Sequence, residues 1–272
     1  MKKLIVRAAL LSGAVIALNP AFANHSWGGY HWAGDGSELP IKVNTAITSQ
    51  WNSSVGTSIS DWNSSNELAL SSQTSSRDPK KCSPIAGQVL VCNSAYGKRG
   101  WLGIASIWLT SGHISQATTK LNDSYHNSAP YNQPEWRALV ACQEVGHDFG
   151  LDHQDETFDN PNLGTCMDYT NSPLGPPANT HPNSHDYQEL NLIYDHDDGF
   201  TTATASTNFG IRQVGKAPPR EEAAIGDSPA EWGRAIHADG QGRPDVFVKD
   251  LGAGRKVLTH VFWAIGKGPN NG

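Results

Sequence analysis

Basic residues are in deficit. Lys and Arg number 20 against 26 Asp and Glu, a formal charge of −6 with a pI near 6.0. A nucleic-acid surface needs a clustered basic face, and none is written here. Methionine is scarce at two residues, and no heptad or fixed period recurs, so helical repeats and coiled coils are excluded. Beyond the first residues, no run approaches the ~18 apolar residues that a membrane helix requires. C-x-x-C pairs are missing, which argues against a four-Cys metal site. What the chain does have is 9 Trp, 27 Gly and 16 Pro in 272 residues, the mark of a loop-rich fold stapled by aromatics. Its 38% hydrophobic content suffices for one sizeable core. The length fits one large domain, or a domain plus an appendix.

The N-terminus reads as an export signal. Met1, Lys2, Lys3 and Arg7 precede an apolar run over 8–18; Pro20 and Ala21-Phe22-Ala23 then form a break and a small-x-small cleavage pattern. The expectation is a signal peptide over 1–23 and a mature chain from Asn24, secreted or periplasmic, without a membrane span and working as a monomer. In an oxidising compartment the four Cys read as two disulfides. Three pairings are open, and the shorter loops favour Cys82–Cys92 with Cys142–Cys166.

Along the chain, 24–40 is an irregular Trp- and His-rich lead-in, and Leu39 starts a strand. Trp51, Val55, Ile59 and Trp62 recur at helical spacing within 49–70, and 71–81 reads as a loop. Residues 87–92, 101–109 and 113–121 read as strands. Pro134 and Glu135 suit the first turn of a helix that Gly150 ends. A second helix is expected over 185–195. The pattern predicts an α+β fold over 24–200, with the sheet separate from the helices. A polar stretch over 201–226 reads as a linker. The remainder, 227–272, reads as a small appendix: a short helix at Ser228-Pro229 and a β-hairpin over 245–263.

The chemistry concentrates between 142 and 153. His147, Gly150 and His153 follow the spacing H-x-x-G-x-x-H, with Glu144 three residues before His147. On a helix, Gln143 and His147 stand one turn apart and reach the same point. Gly150 lets the chain turn left-handed and bring His153 back to it. Such a set holds a metal with one position open, and Glu144 beside it is placed to take a proton from water.

This stretch resembles the metzincin zinc metallopeptidases, and among them the matrixin-like group, whose motif is H-E-x-x-H-x-x-G-x-x-H followed by a Met-containing turn. The second half of the motif matches at Glu144, His147, Gly150 and His153. Gly164-Thr165-Cys166-Met167-Asp168-Tyr169 looks like the turn. The resemblance implies a twisted mixed sheet, an active-site helix, the Met turn and a closing helix. It implies zinc as cofactor on His147 and His153, with Gln143, in place of the family's first His, as third ligand. It further implies Glu144 as general base and acid, Met167 as the floor beneath the metal, and Tyr169 as an oxyanion partner. A peptide substrate would pair with an edge strand, for which 101–109 is the candidate.

Gln143 departs from the family, because an amide oxygen binds zinc less well than imidazole; either it ligates through that oxygen, or a two-His site is left to be completed by a carboxylate such as Asp152 or by nothing. Two other functions are therefore weighed: a catalytically inactive protein that keeps the fold to bind protein or glycan, and a hydrolase of non-peptide amides or esters. His181 and His185 are further ligand candidates, although His185-Asp186 suits a helix cap better. The acidic residues Asp148, Asp152, Asp155, Glu156 and Asp159 do not follow an EF-hand loop, which leaves calcium unsupported.

Overall fold

The computed structural model describes residues 25–204 and 220–269. The expected signal peptide, and 205–219 of the expected linker, lie outside the described residues.

The molecule is α+β, built on one mixed sheet. Its strands are β1 (His31–Trp32), β2 (Leu39–Ala46), β3 (Leu68–Thr74), β4 (Val89–Ser94), β5 (Trp101–Thr110), β6 (His113–Asn122), β7 (Arg234–Ala238), β8 (Pro244–Gly252) and β9 (Arg255–Trp263). The order across the sheet is β3-β2-β4-β6-β5-β9-β8-β7, with β1 pairing the start of β6 off this path. The β2–β3, β2–β4 and β4–β6 pairs are parallel, whereas everything from β6 through β5 to β7 is antiparallel.

Five helices complete the described fold: α1 (Asn52–Trp62), α2 (Asp123–His126), α3 (Pro134–His147), α4 (Ser184–Tyr194) and α5 (Pro229–Trp232). Helix α1 starts from a 3-10 turn at Ser49–Trp51 and buries Val55, Ile59 and Trp62. It ends at Trp62 rather than continuing to 70. The next residues form β3, whose Ser-Ser-Gln-Thr end is exposed and paired on one side only. An edge strand with a solvated face has the composition of a loop, which is how the sequence disguised it. The link from β2 through α1 to parallel β3 also replaces the expected separation of sheet from helices with a strand–helix–strand unit.

Helix α3 is buried almost all round, from Trp136 to His147, between α1 and the sheet. Trp62 Nε1 donates to the Cys142 carbonyl oxygen at 2.9 Å. A Cβ at Gly146 would sit 2.6 Å from the Trp62 ring and 2.8 Å from Met167 Sδ, so only glycine lets both approach the helix. Both disulfides form as the short loops suggested, Cys82–Cys92 and Cys142–Cys166. The second joins α3 to the turn that carries Met167. At α4, Asn183 and Asp186 make a full capping box, the role assigned to this region by sequence.

The C-terminal segment is no detached appendix. Strand β9 pairs with β5 from Trp101 to Thr110, and β8 and β7 extend the sheet beyond it. Strand β5 is therefore interior, flanked by β6 and β9, and not the edge expected of 101–109. Alternation along β9 splits its side chains. Leu258 and Phe262 join the core beneath α3, whereas Val257, Val261 and Trp263 pack with Trp101, Trp108 and Trp232 on the opposite face. Among the described residues, no helix is long and apolar enough to cross a membrane.

Candidate metal centre

Three imidazoles meet beneath the sheet. Helix α3 ends with His147. The chain then turns at Gly150 with φ 92°, where a Cβ would overlap the Tyr30 carbonyl oxygen, and returns with His153. The third ring comes from an unexpected place, His260 on β9. Ring centroids lie 4.1 Å apart for His147–His260, 4.7 Å for His147–His153 and 4.8 Å for His153–His260. One nitrogen from each lies within 4.8 Å of the other two, so this group could hold a metal ion.

Hydrogen bonds to the outer nitrogens fix the rings. His147 Nδ1 is 2.8 Å from the Leu151 carbonyl oxygen, which requires a proton on Nδ1 and leaves the Nε2 lone pair turned inward. His153 Nδ1 faces Glu156 Oε1 at 3.3 Å and Asp152 Oδ1 at 3.4 Å. Both Nε2 atoms are buried without a hydrogen-bond partner. Orphaned buried acceptors of this kind call for an ion or a donor. Burial and the neighbouring His153 hold His147 well below the ordinary histidine range; burial and His147 do the same to His260. Burial opposes charge on His153 too, but Glu156 and Asp152 outweigh it and raise its pKa. Neutral imidazole is the form that binds metal.

Glu144 stands one turn before the helix end, fully buried, with Oε2 at 3.2 Å from His260 Nδ1 and Oε1 unpartnered. Gly103 makes room for it: a Cβ there would lie 2.7 Å from Glu144 Cγ. Burial, then the charge of Asp148, pushes the Glu144 carboxyl well above the usual range. Tyr169 Oη donates to Asp245 Oδ2 at 3.2 Å and is 2.8 Å from His260 Nε2. With Tyr169 donating to Asp245, His260 donates from Nε2 to the phenol oxygen and keeps a lone pair on Nδ1. Trp27, from the lead-in, stacks on His147 at 4.7 Å and 8°.

The residues expected at the site are brought together with one change of role. Gln143 Nε2 donates to the Cys166 carbonyl oxygen at 2.8 Å, bracing the Met turn, while its Oε1 is buried and unpartnered. The third imidazole is His260. Met167 is fully buried against α3, and its carbonyl oxygen accepts from the Gln154 N–H. His181 and His185 stand apart; the first bonds Asp61 at 2.7 Å, and the second lies in the first turn of α4, its backbone N–H donating to Asn183 Oδ1 at 2.8 Å and its ring stacking on His25. The acidic residues do not act as one group, since Asp148 is buried on Thr119 whereas Asp152 and Glu156 face His153. Sequence reasoning missed His260, Asp245 and Trp27. The legible signal was His260 itself, a polar residue between Leu258 and Phe262 on the inward face of a strand.

Comparison with protein families and with curated proteins found no match.

Proposed function

We propose that the chain is a zinc-dependent metallopeptidase whose ligands are His147, His153 and His260, with Glu144 as general base. The observation that carries this reading is the convergence of three buried imidazoles, two with unpartnered Nε2 atoms, beside the buried Glu144 carboxyl. Borderline-soft zinc suits a three-imidazole set. Bound there, zinc would supply Lewis-acid chemistry, lowering the pKa of a water and polarising a substrate carbonyl. Glu144 would accept a proton from the attacking water and return it to the leaving amine. Tyr169 orients His260 and offers its hydroxyl to developing negative charge once the Asp245 bond is given up. Gln143 holds the Met turn. The two disulfides suit an exported protein, the location the N-terminal signal implies.

A second reading is favoured by enclosure. Glu144, His147 and His260 are fully buried and β5 is paired on both sides, so the strand-pairing expected of substrate at 101–109 has no free edge there. That suits an inactive protein that keeps the metal for stability and binds a protein or glycan elsewhere.

Elemental analysis and a peptide-library assay on the wild type, Glu144→Gln and His260→Ala chains separate them. The peptidase reading expects wild-type cleavage, lost by about 10²–10⁴-fold in Glu144→Gln with metal retained, and loss of metal in His260→Ala. Metal-loaded wild type that cleaves nothing, like its Glu144→Gln variant, would leave the binding reading standing.

A further inference from the structure

A second histidine cluster lies at the far end of the sheet, where β1 meets β6. His31 and His113 are register partners on these two strands, and His196 and Asp198 come from the segment after α4. Three Nε2 atoms converge on one carboxylate. His31 Nε2 is 3.3 Å from Asp198 Oδ2, His113 Nε2 is 3.1 Å from Oδ1, and His196 Nε2 is 3.3 Å from Oδ1. The Nε2 atoms of His31 and His196 are 3.0 Å apart.

Hydrogen bonding alone satisfies this arrangement poorly. His31 Nδ1 faces the Gly29 carbonyl oxygen at 2.7 Å and must carry its proton there, leaving a lone pair on Nε2. A His196 N–H can point at that lone pair, and a His113 N–H at Asp198. The His31 lone pair then still faces Asp198 Oδ2, acceptor against acceptor. A second proton on His31 alone, or a cation at the centre, would resolve that conflict. His31, His113 and Asp198 each offer one ligand atom within 4.8 Å of the other two, so they could hold a metal ion, and His196 Nε2 stands beside them at 3.0 Å from His31 and 3.3 Å from Asp198.

The surroundings resemble those of a ligand set. The Gly29 carbonyl fixes the His31 tautomer, and the Gly34 N–H donates to Asp198 Oδ2 at 3.0 Å. The His31 and Asp198 side chains are 11% exposed, His113 20% and His196 43%, so one side faces solvent for entry. Four protein ligands leave no position for water, the pattern of a structural centre.

We propose that His31, His113, His196 and Asp198 form a second, structural zinc site, independent of the His147 centre. Its work is to clamp the N-terminal lead-in to the sheet. That lead-in carries Trp27 onto His147, and its backbone bonds the turn after α3, Trp27 N–H to the Gly150 oxygen at 3.0 Å and Asp152 N–H to the His25 oxygen at 2.7 Å.

The test is zinc stoichiometry on four full-length chains: wild type, His147→Ala, His196→Ala and the double variant, with circular dichroism to verify folding. His196 is the most exposed ligand, so its removal spares the core. Two zinc ions are expected in the wild type, one in each single variant and none in the double. The His147→Ala chain reconstituted with cobalt(II) should show the intense visible absorption of a tetrahedral site, absent after His196→Ala. Zinc that drops with His147→Ala but not with His196→Ala overturns the second site alone. A drop with His196→Ala only would uphold it while removing the His147 centre. A folded His147→Ala chain with neither zinc nor a cobalt spectrum sinks the proposal.

Discussion

His126, at the end of α2, is fully buried, and its ring meets Trp51 edge-on at 4.7 Å. Burial, and secondarily the nearby Arg137 charge, pulls its pKa from 6.5 to about 3. In the unfolded chain the same ring takes up a proton below about 6.5. Between these values the unfolded state binds the proton and the folded state does not, so stability is lost as pH falls from about 6.5 towards 3. The slope from this residue reaches about 1.4 kcal/mol per pH unit. Urea unfolding between pH 4 and 7 should show a shallower decline for His126→Leu than for the wild type; parallel curves would dismiss the assignment. At this scale the sequence speaks unevenly. Glu144, His147, Gly150 and His153 point to the proposed site by spacing alone. Gly103 and Gly146 announce nothing, because the side chains that demand them, Glu144, Trp62 and Met167, arrive from other elements.

The disulfide between Cys142 and Cys166 sets one element against another, anchoring α3 to the Met turn across a sequence separation of 24, whereas Cys82–Cys92 spans 10. Loop-closure entropy gives the longer bridge about 3.5 kcal/mol and the shorter about 2.7. Replacing each pair by alanines should therefore lower the thermal midpoint by roughly 10 °C at 142/166 and by about 2–3 °C less at 82/92. The longer bridge also works with the Gln143 amide, which holds the Cys166 carbonyl, so its loss should weaken metal binding as well. Equal shifts for both pairs, without loss of metal, would assign the Met turn's position to packing alone. Element identity was largely readable. Strands β2, β4, β5 and β6, helices α3 and α4, and the 245–263 hairpin follow from periodicity and caps. Strand β3 was hidden because an exposed edge needs no apolar alternation, and β1 because two residues make no pattern.

Topology at the scale of the whole molecule was not legible. Nothing in 245–263 states that its hairpin joins the main sheet beside β5, since strand partners are chosen by long-range packing rather than by local sequence. Seen as an appendix, the tail has no site; placed in the sheet, it delivers His260. The metal should accordingly couple the tail to the rest of the fold. In the His196→Ala background, zinc at 100 times its dissociation constant should raise unfolding stability by about 2.7 kcal/mol. The additional substitution His260→Ala should remove most of that gain, as read from urea midpoints with and without zinc. An undiminished gain would place the ligand elsewhere.

The order of the ligands along the chain carries a consequence in time. A ribosome delivers His147 and His153 more than a hundred residues before His260, and β9 can pair with β5 only after the final hairpin has emerged. During synthesis the centre is an incomplete pair of imidazoles, with less hold on any metal it meets. On the proposed ligand set, full coordination would report that the last strand has docked, and a chain cut short before β9 would be marked by its inability to keep the ion.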